Sequence, residues 1–170
     1  MSIPMKDIRN IIRGRQSKRR GDMAENILHS EALRSGWTVV KIPLGCKMLS
    51  NTRMIRVATT CDFIFIKGPH VIFVDSKTTK SKSFSFSAQT EHQVKTLSEI
   101  ERHGHMAGYV VNFTELKKTV FFKGSQLWAL RSGASLKPED GIHIGDDRII
   151  NLSRIFEQHS TTTRGNESMS

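Results

Sequence analysis

Cysteine is nearly absent: only Cys46 and Cys61 occur in 170 residues, and neither has a partner at Cys-x-x-Cys spacing. Neither a thiolate zinc site nor a disulfide framework can be built from them, so both are expected to be reduced thiols in a cytosol-like compartment. Long apolar runs are missing too. No stretch offers the roughly 18 or more consecutive apolar residues of a spanning helix. The opening MSIPMKDIRNIIRGRQ contains no apolar run of signal-peptide length before charge begins at Lys6, so the expected location is cytoplasmic. Acid is scarce relative to base, with 16 Asp and Glu against 26 Lys and Arg, a net charge of +10. Such an excess points to a polyanionic partner, and without a membrane segment that partner is nucleic acid. The chain, 37% hydrophobic, is long enough for one well-formed core and too short for two sizeable domains with linkers.

The charge is concentrated. Lys6, Arg9, Arg13, Arg15, Lys18, Arg19 and Arg20 stand against the single acid Asp7, which marks residues 1–20 as a basic N-terminal arm suited to phosphate contact. Asp22-Met23-Ala24-Glu25 resembles a capping box and predicts a helix from there to Ser35, stopped by Gly36. WTVVKI (37–42) reads as a strand. Residues 46–58, with Lys47, Arg53 and Arg56, form a second basic segment read as a loop or extended hairpin. CDFIFI (61–66) and HVIFVDSK (70–77) are strands joined by the turn signal Lys67-Gly68-Pro69. A loop of hydroxyls and cations follows, including Lys80 and Lys82. A helix is then expected from about Ser87 to His103, with Gly104 as its stop. MAGYVVNF and KTVFF give two more strands, and INLSRIFEQ a short amphipathic helix. The order αβββαββα describes one α/β domain over 21–158 with a mixed sheet whose first three strands form a meander. Residues 159–170 are polar and expected to be disordered.

The strand pattern places charge where it is costly. Side chains alternate faces, so Asp62 shares a face with Ile64 and Ile66, and Asp75 and Lys77 share one with Val71 and Phe73. A tight turn at Gly68-Pro69 that sets Ile66 opposite Val71 also sets Asp62 opposite Asp75. Two carboxylates facing each other on an otherwise apolar surface repel, so something positive is needed there. A divalent cation meets the need: Mg²⁺, with Mn²⁺ as the alternative, binds one or two carboxylates, keeps several waters and accepts phosphate oxygens. Asp62 and Asp75 would hold the metal. Lys77 would orient or activate the attacking water and neutralise charge developing on a phosphate. The competing reading is an Asp–Lys ion pair at a strand end.

Two helices add candidates. Glu25, Leu28 and Ala32 lie at i, i+3 and i+7, so Glu25 sits on an apolar stripe and is either a third acidic group or the capping-box residue of Asp22. Gln93, Leu97 and Ile100 share a face in the second helix. A buried glutamine needs partners, which a metal-bound water, a phosphate or a backbone carbonyl would provide.

GDMAE ending in Glu25, CDF at Asp62, VDSK at Asp75 and Lys77, and EHQVKTL around Gln93 occur in the order helix, strand, hairpin, helix. In this the chain resembles the PD-(D/E)XK nuclease superfamily, and within it the RecU-type and Hjc-type Holliday junction resolvases. The resemblance spans roughly Gly21 to Phe113 and includes an Ala107-Gly108 strand start. It implies a restriction-endonuclease-like mixed β-sheet flanked by helices. It also implies a metal-dependent endonuclease working as a homodimer that nicks two strands of a four-way DNA junction. It makes Asp62 and Asp75 metal ligands, Lys77 the catalytic lysine, and Glu25 and Gln93 further site residues. Two residues depart from the pattern: Cys61 stands in place of the motif proline, and Asp75 is one methylene shorter than the commoner glutamate. The alternatives are a restriction- or repair-type endonuclease on duplex DNA, and a DNA-binding protein that does not cut.

Overall fold

The computed structural model describes residues 5–43, 45–50, 53–57, 59–85, 91–130 and 134–157. The expected tail at 159–170 and the expected helix start at Ser87 lie outside them.

A single helix, α1 (Met5–Arg34), runs through the basic segment and on to the domain. The capping-box reading at Asp22 is therefore corrected: Asp22 and Glu25 sit well inside a helix of 30 residues, where a cap has no orphan N–H group to satisfy. The physical reason is that nothing from Lys6 to Arg20 breaks a helix. Arg, Lys, Gln and Ile all tolerate it, and Gly14 and Gly21 each cost only about 1 kcal/mol. The stop at Gly36 is as expected, with a left-handed φ of 80°.

Strands β1 (Thr38–Lys41), β4 (Phe63–Lys67) and β5 (His70–Thr79) form the antiparallel meander. Between β1 and β4 the segment read as loop or hairpin folds as an antiparallel pair, β2 (Gly45–Ser50) and β3 (Arg53–Val57), separate from the main sheet. Helix α2 (Glu91–Arg102) carries the chain across to β7 (Met106–Phe113), which lies parallel to β5. β8 (Lys118–Lys123) follows antiparallel.

Three elements were not legible in the sequence: helix α3 (Gly124–Ala129), the pairing of two-residue strands β6 (Phe84–Ser85) and β9 (Ser135–Leu136), and the edge strand β10 (Ile142–Gly145). Each is too short for hydrophobic periodicity to register. The main sheet has six strands in the order β1-β4-β5-β7-β8-β10. A last helical turn at 154–157 falls within the expected amphipathic helix.

The sheet is covered on both faces. Leu28 and Ala32 of α1 pack with Phe63, Phe65, Ile72, Val74 and Phe121 on one face. Val94 and Leu97 of α2 and Leu127 of α3 pack with Ala107, Tyr109, Val111 and Phe122 on the other. Burying such a side chain fully contributes roughly 1.5–3 kcal/mol. At Gly108 the close approach requires a glycine, because a Cβ there would stand 2.0 Å from the Phe122 carbonyl oxygen. Among the described residues, no helix is long and apolar enough to cross a membrane.

Candidate active site

The hairpin register positions the site. β4 and β5 pair Phe63 with Val74 and Ile66 with Val71, so Asp62, one residue before β4, continues the ladder to Asp75 as the sequence predicts. The chain is pinned there by Asp62 N–H donating to the Val74 carbonyl at 2.9 Å and Ile42 N–H donating to the Asp62 carbonyl at 2.8 Å. The Asp62 Oδ2 accepts from the Ser76 backbone N–H at 2.8 Å.

Asp75 is wholly buried. Its Oδ1 accepts a hydrogen bond of 2.8 Å from Gln93 Nε2, and its Oδ2 lies in ion-pair contact with Lys77 Nζ, two residues along the same strand face. The Gln93 amide also donates to the Thr59 carbonyl at 3.2 Å. Gln93 is half-buried rather than buried, and it has a backbone carbonyl as one partner and the Asp75 carboxylate, which the sequence did not suggest, as the other.

Glu25 approaches from the α1 side, and its Oε2 pairs with Lys41 Nζ at 3.0 Å. Lys41 is absent from the sequence-based candidates. The signal is that WTVVKI, like VIFVDSK, carries a lysine at the end of an apolar strand, and its pairing with Phe63 sets it beside Asp62.

The electrostatics are those of a site that resists its own negative charge. Burial pushes the Asp75 carboxyl up to about 6. Lys77 pulls it down, while Asp62 and Glu25 add to the rise. Asp62 is also raised, first by burial and further by Glu25, against the Ser76 hydrogen bond, Lys77 and Lys41. The Cys61 thiol is pushed up to about 11 by burial and by both aspartates, which makes it inert as a nucleophile. Tyr109, paired in register with Asp75 on β7, has its hydroxyl raised by burial and by the same two carboxylates.

These groups fit a hard divalent ion. The Asp75 Oδ2 has no aligned hydrogen bond in the fold, and two facing carboxylates that disfavour ionisation are relieved by a cation. Among the described residues no three His, Cys, Asp or Glu side chains form a cage on their own. A hard divalent ion takes one or two carboxylates, with water and substrate oxygens completing its shell.

Arg15, Lys18 and Arg19 are exposed along α1 and Arg20 is half-buried, while Lys80 and Lys82 are exposed just past β5. The side chains of Arg13, Lys47, Arg53 and Arg56 lie outside the described residues; their backbones place the first on α1 and the others on the β2–β3 hairpin.

A family model for recombination protein U (RecU) matches residues 36–140, more than half of the chain. Among solved structures, Hjc of Archaeoglobus fulgidus, a Holliday junction resolvase from an archaeal hyperthermophile, aligns with a TM-score of 0.53 at 18% identity. The alignment covers 73% of this chain and 96% of that one, and it shows a shared nuclease fold. A bacterial homing endonuclease aligns over 88% of this chain and 93% of its own with 20% identity and a TM-score of 0.40. A search of curated protein sequences gives no match.

Proposed function

Since this chain belongs to the recombination protein U family, we propose that it is a Holliday junction resolvase that uses a divalent metal, Mg²⁺ or Mn²⁺, to hydrolyse phosphodiester bonds at a four-way DNA junction as a homodimer. The observation that carries the reading is the register of the β4–β5 hairpin, which brings Asp62, Asp75 and Lys77 to one place under Gln93.

Asp62 and Asp75 would hold the ion, which when bound supplies a Lewis acid for the phosphate oxygens and lowers the pKa of a water. Lys77 keeps a positive charge at the reacting phosphate and orients the attacking water, because its ammonium is anchored on Asp75 rather than free in solvent. Gln93 fixes the rotamer of Asp75 through Oδ1, leaving Oδ2 directed at the charged side of the site. Glu25 is held by Lys41, so its charge acts on both aspartates without competing for Lys77.

Arg13, Arg15, Lys18, Arg19 and Arg20 on α1, Lys47, Arg53 and Arg56 on the hairpin, and Lys80 and Lys82 beyond β5 are assigned to the DNA backbone. Recognition through backbone and shape suits a branched substrate with no fixed sequence. A closed two-fold dimer places two such sites at fixed separation, as symmetric nicking requires.

The test is incubation with Mg²⁺ and labelled four-way and linear DNAs of the same sequence. The junction should bind at least ~10-fold tighter, about 1.4 kcal/mol, and receive paired nicks in strands of like polarity. Equal affinity and cutting of the linear duplex would point instead to a general duplex endonuclease.

A further inference from the structure

Two rows of side chains cross the sheet beside the acidic site. The pairing of β1, β4 and β5 sets Val40, Ile64 and Phe73 in one row and Thr38, Ile66 and Val71 in the next. Side chains alternate along a strand, and Phe63, Phe65, Ile72 and Val74 fill the α1 face, so both rows point the other way, to the side of Asp75. Asp62 and Asp75 continue the ladder as a third row, and the apolar rows and the site thus share one surface.

On that surface α2 and α3 lie over β7 and β8. Toward β1 the rows reach solvent. Val40 is 42% exposed and Ile66 37%, while Ile64, Val71 and Phe73 are half-buried. A sheet face that stays in water carries polar residues at alternate positions, but here those positions hold Val, Ile and Phe. A contiguous apolar patch of this kind marks a binding surface. Neither row holds a charged side chain, although a quarter of the chain is charged and its net charge is +10. A DNA phosphate would find no cation there.

We propose that this face is where a second copy of the chain docks in the homodimer. A closed dimer uses the same patch on both subunits, so the patch must match itself. An uncharged face meets that condition even between two chains of like charge, since each offers the other Val, Ile and Phe and none of its excess cations. Helix α2 supplies the polar border. Gln93, which reaches Asp75, shares a helix side with Thr96 and Ile100 at i+3 and i+7, and the ion pair of Glu99 with Arg102 brings both signs beside it. An uncharged core within a polar rim is the anatomy of a protein interface. Asp62 and Asp75 lie two residues, about 7 Å, beyond Ile64 and Phe73. A partner seated on the rows therefore holds its own acidic site at a fixed distance within roughly 30 Å of this one. The proposal rests on the dimer of the resolvase reading and adds the surface that forms it.

The experiment is analytical ultracentrifugation of the full chain without divalent ions. Wild type should sediment as two chains at micromolar concentration. Val40→Glu with Ile66→Glu changes two exposed positions, leaves the core of the single chain intact, and should weaken association at least ~100-fold. Ile149→Glu, at a residue 60% exposed beyond β10 at the other edge of the sheet, should leave the mass unchanged. Circular dichroism checks that each variant is folded. Val40→Lys with Ile66→Lys should also be monomeric, and mixing it with the Glu variant should restore the two-chain mass, a rescue that unfolded chains do not give. A Glu variant that stays dimeric overturns the proposal while the dimer itself stands, and a mixture that stays monomeric overturns it as well. A monomeric wild type overturns both the face and the dimer. None of those results touches the cutting chemistry, which fails separately if wild type with Mg²⁺ cuts no junction.

Discussion

On the face covered by α1, Phe63, Phe65, Ile72 and Val74 are fully buried beside Leu28 and Ala32. On the face covered by α2, β5 buries Asp75 just as completely, near Tyr109 and Val94. The two faces are built by the same strands under helices of similar role. Their difference follows from what each has to do. The strand residues facing α1 include neither aspartate of the site, so alternation along β4 and β5 can fill that face with Phe, Ile and Val. The α2 face ends at a carboxylate whose ionisation burial opposes, held by Gln93 and Lys77. Both faces bury apolar side chains, and the second gives up some stability to keep a charged group poised.

The largest expected effect tests the apolar face. Phe63→Ala should cost about 3–5 kcal/mol in unfolding free energy by denaturant titration, because the buried ring leaves a cavity. The surviving folded fraction should still cut DNA. A loss under 1 kcal/mol would mean this face contributes little to stability.

Lys77→Ala probes the other face. Cleavage should fall ~100- to 1,000-fold in single-turnover assays, the range for losing one donor aimed at developing charge, and at neutral pH the fold should also lose some stability because the buried Asp75 loses its cationic partner. Cleavage within a few-fold of wild type would reduce Lys77 to a structural ion-pair partner.

The third effect is a pH dependence confined to the charged face. The Asp75 carboxyl rises from an unfolded value of 3.8 to about 6 in the fold. Between those values the folded state binds the proton more tightly than the unfolded one. With chelator present, stability should therefore fall as pH rises from about 4 to about 6, by up to ~3 kcal/mol. Asp75→Asn should flatten that slope, whereas Phe63→Ala should lower the whole curve and keep it. A slope of opposite sign would mean the carboxylate is stabilised by Lys77 more than it is opposed by burial.

The smallest effect concerns the basic half of α1. Removing residues 1–20 should weaken DNA binding across all sequences and lower the slope of log K against log salt by about 0.9 for each phosphate no longer neutralised. An unchanged slope would take Arg13, Arg15, Lys18, Arg19 and Arg20 out of the interface.

Much of the charged face was legible in the sequence, because it depends on a turn. Gly68-Pro69 sets the hairpin register, and the register alone sets Asp62 against Asp75. The Glu25, Leu28 and Ala32 stripe could be read from helical spacing, and Leu28 and Ala32 are both buried. Lys41 was not legible, because its place beside Asp62 comes from the pairing of β1 with β4 across the whole β2–β3 insertion. The start of α1 is hidden for the opposite reason: a strong local signal at Asp22 lies inside a segment that Gly14 and Gly21 weaken but nothing breaks as a helix. The edge strand β10 is four residues that follow Gly141 and end in Gly145, and pairing with β8 makes it a strand.

Everything proposed for the charged face turns on Asp75 being a metal-binding residue of a junction-cutting site. The most direct measurement is Asp75→Ala assayed for both binding and cleavage of a four-way junction in Mg²⁺. Cleavage should be abolished and junction affinity retained or slightly improved, because removing the carboxylate destroys the metal site while lessening repulsion of phosphate. Cleavage near the wild-type rate would contradict that role.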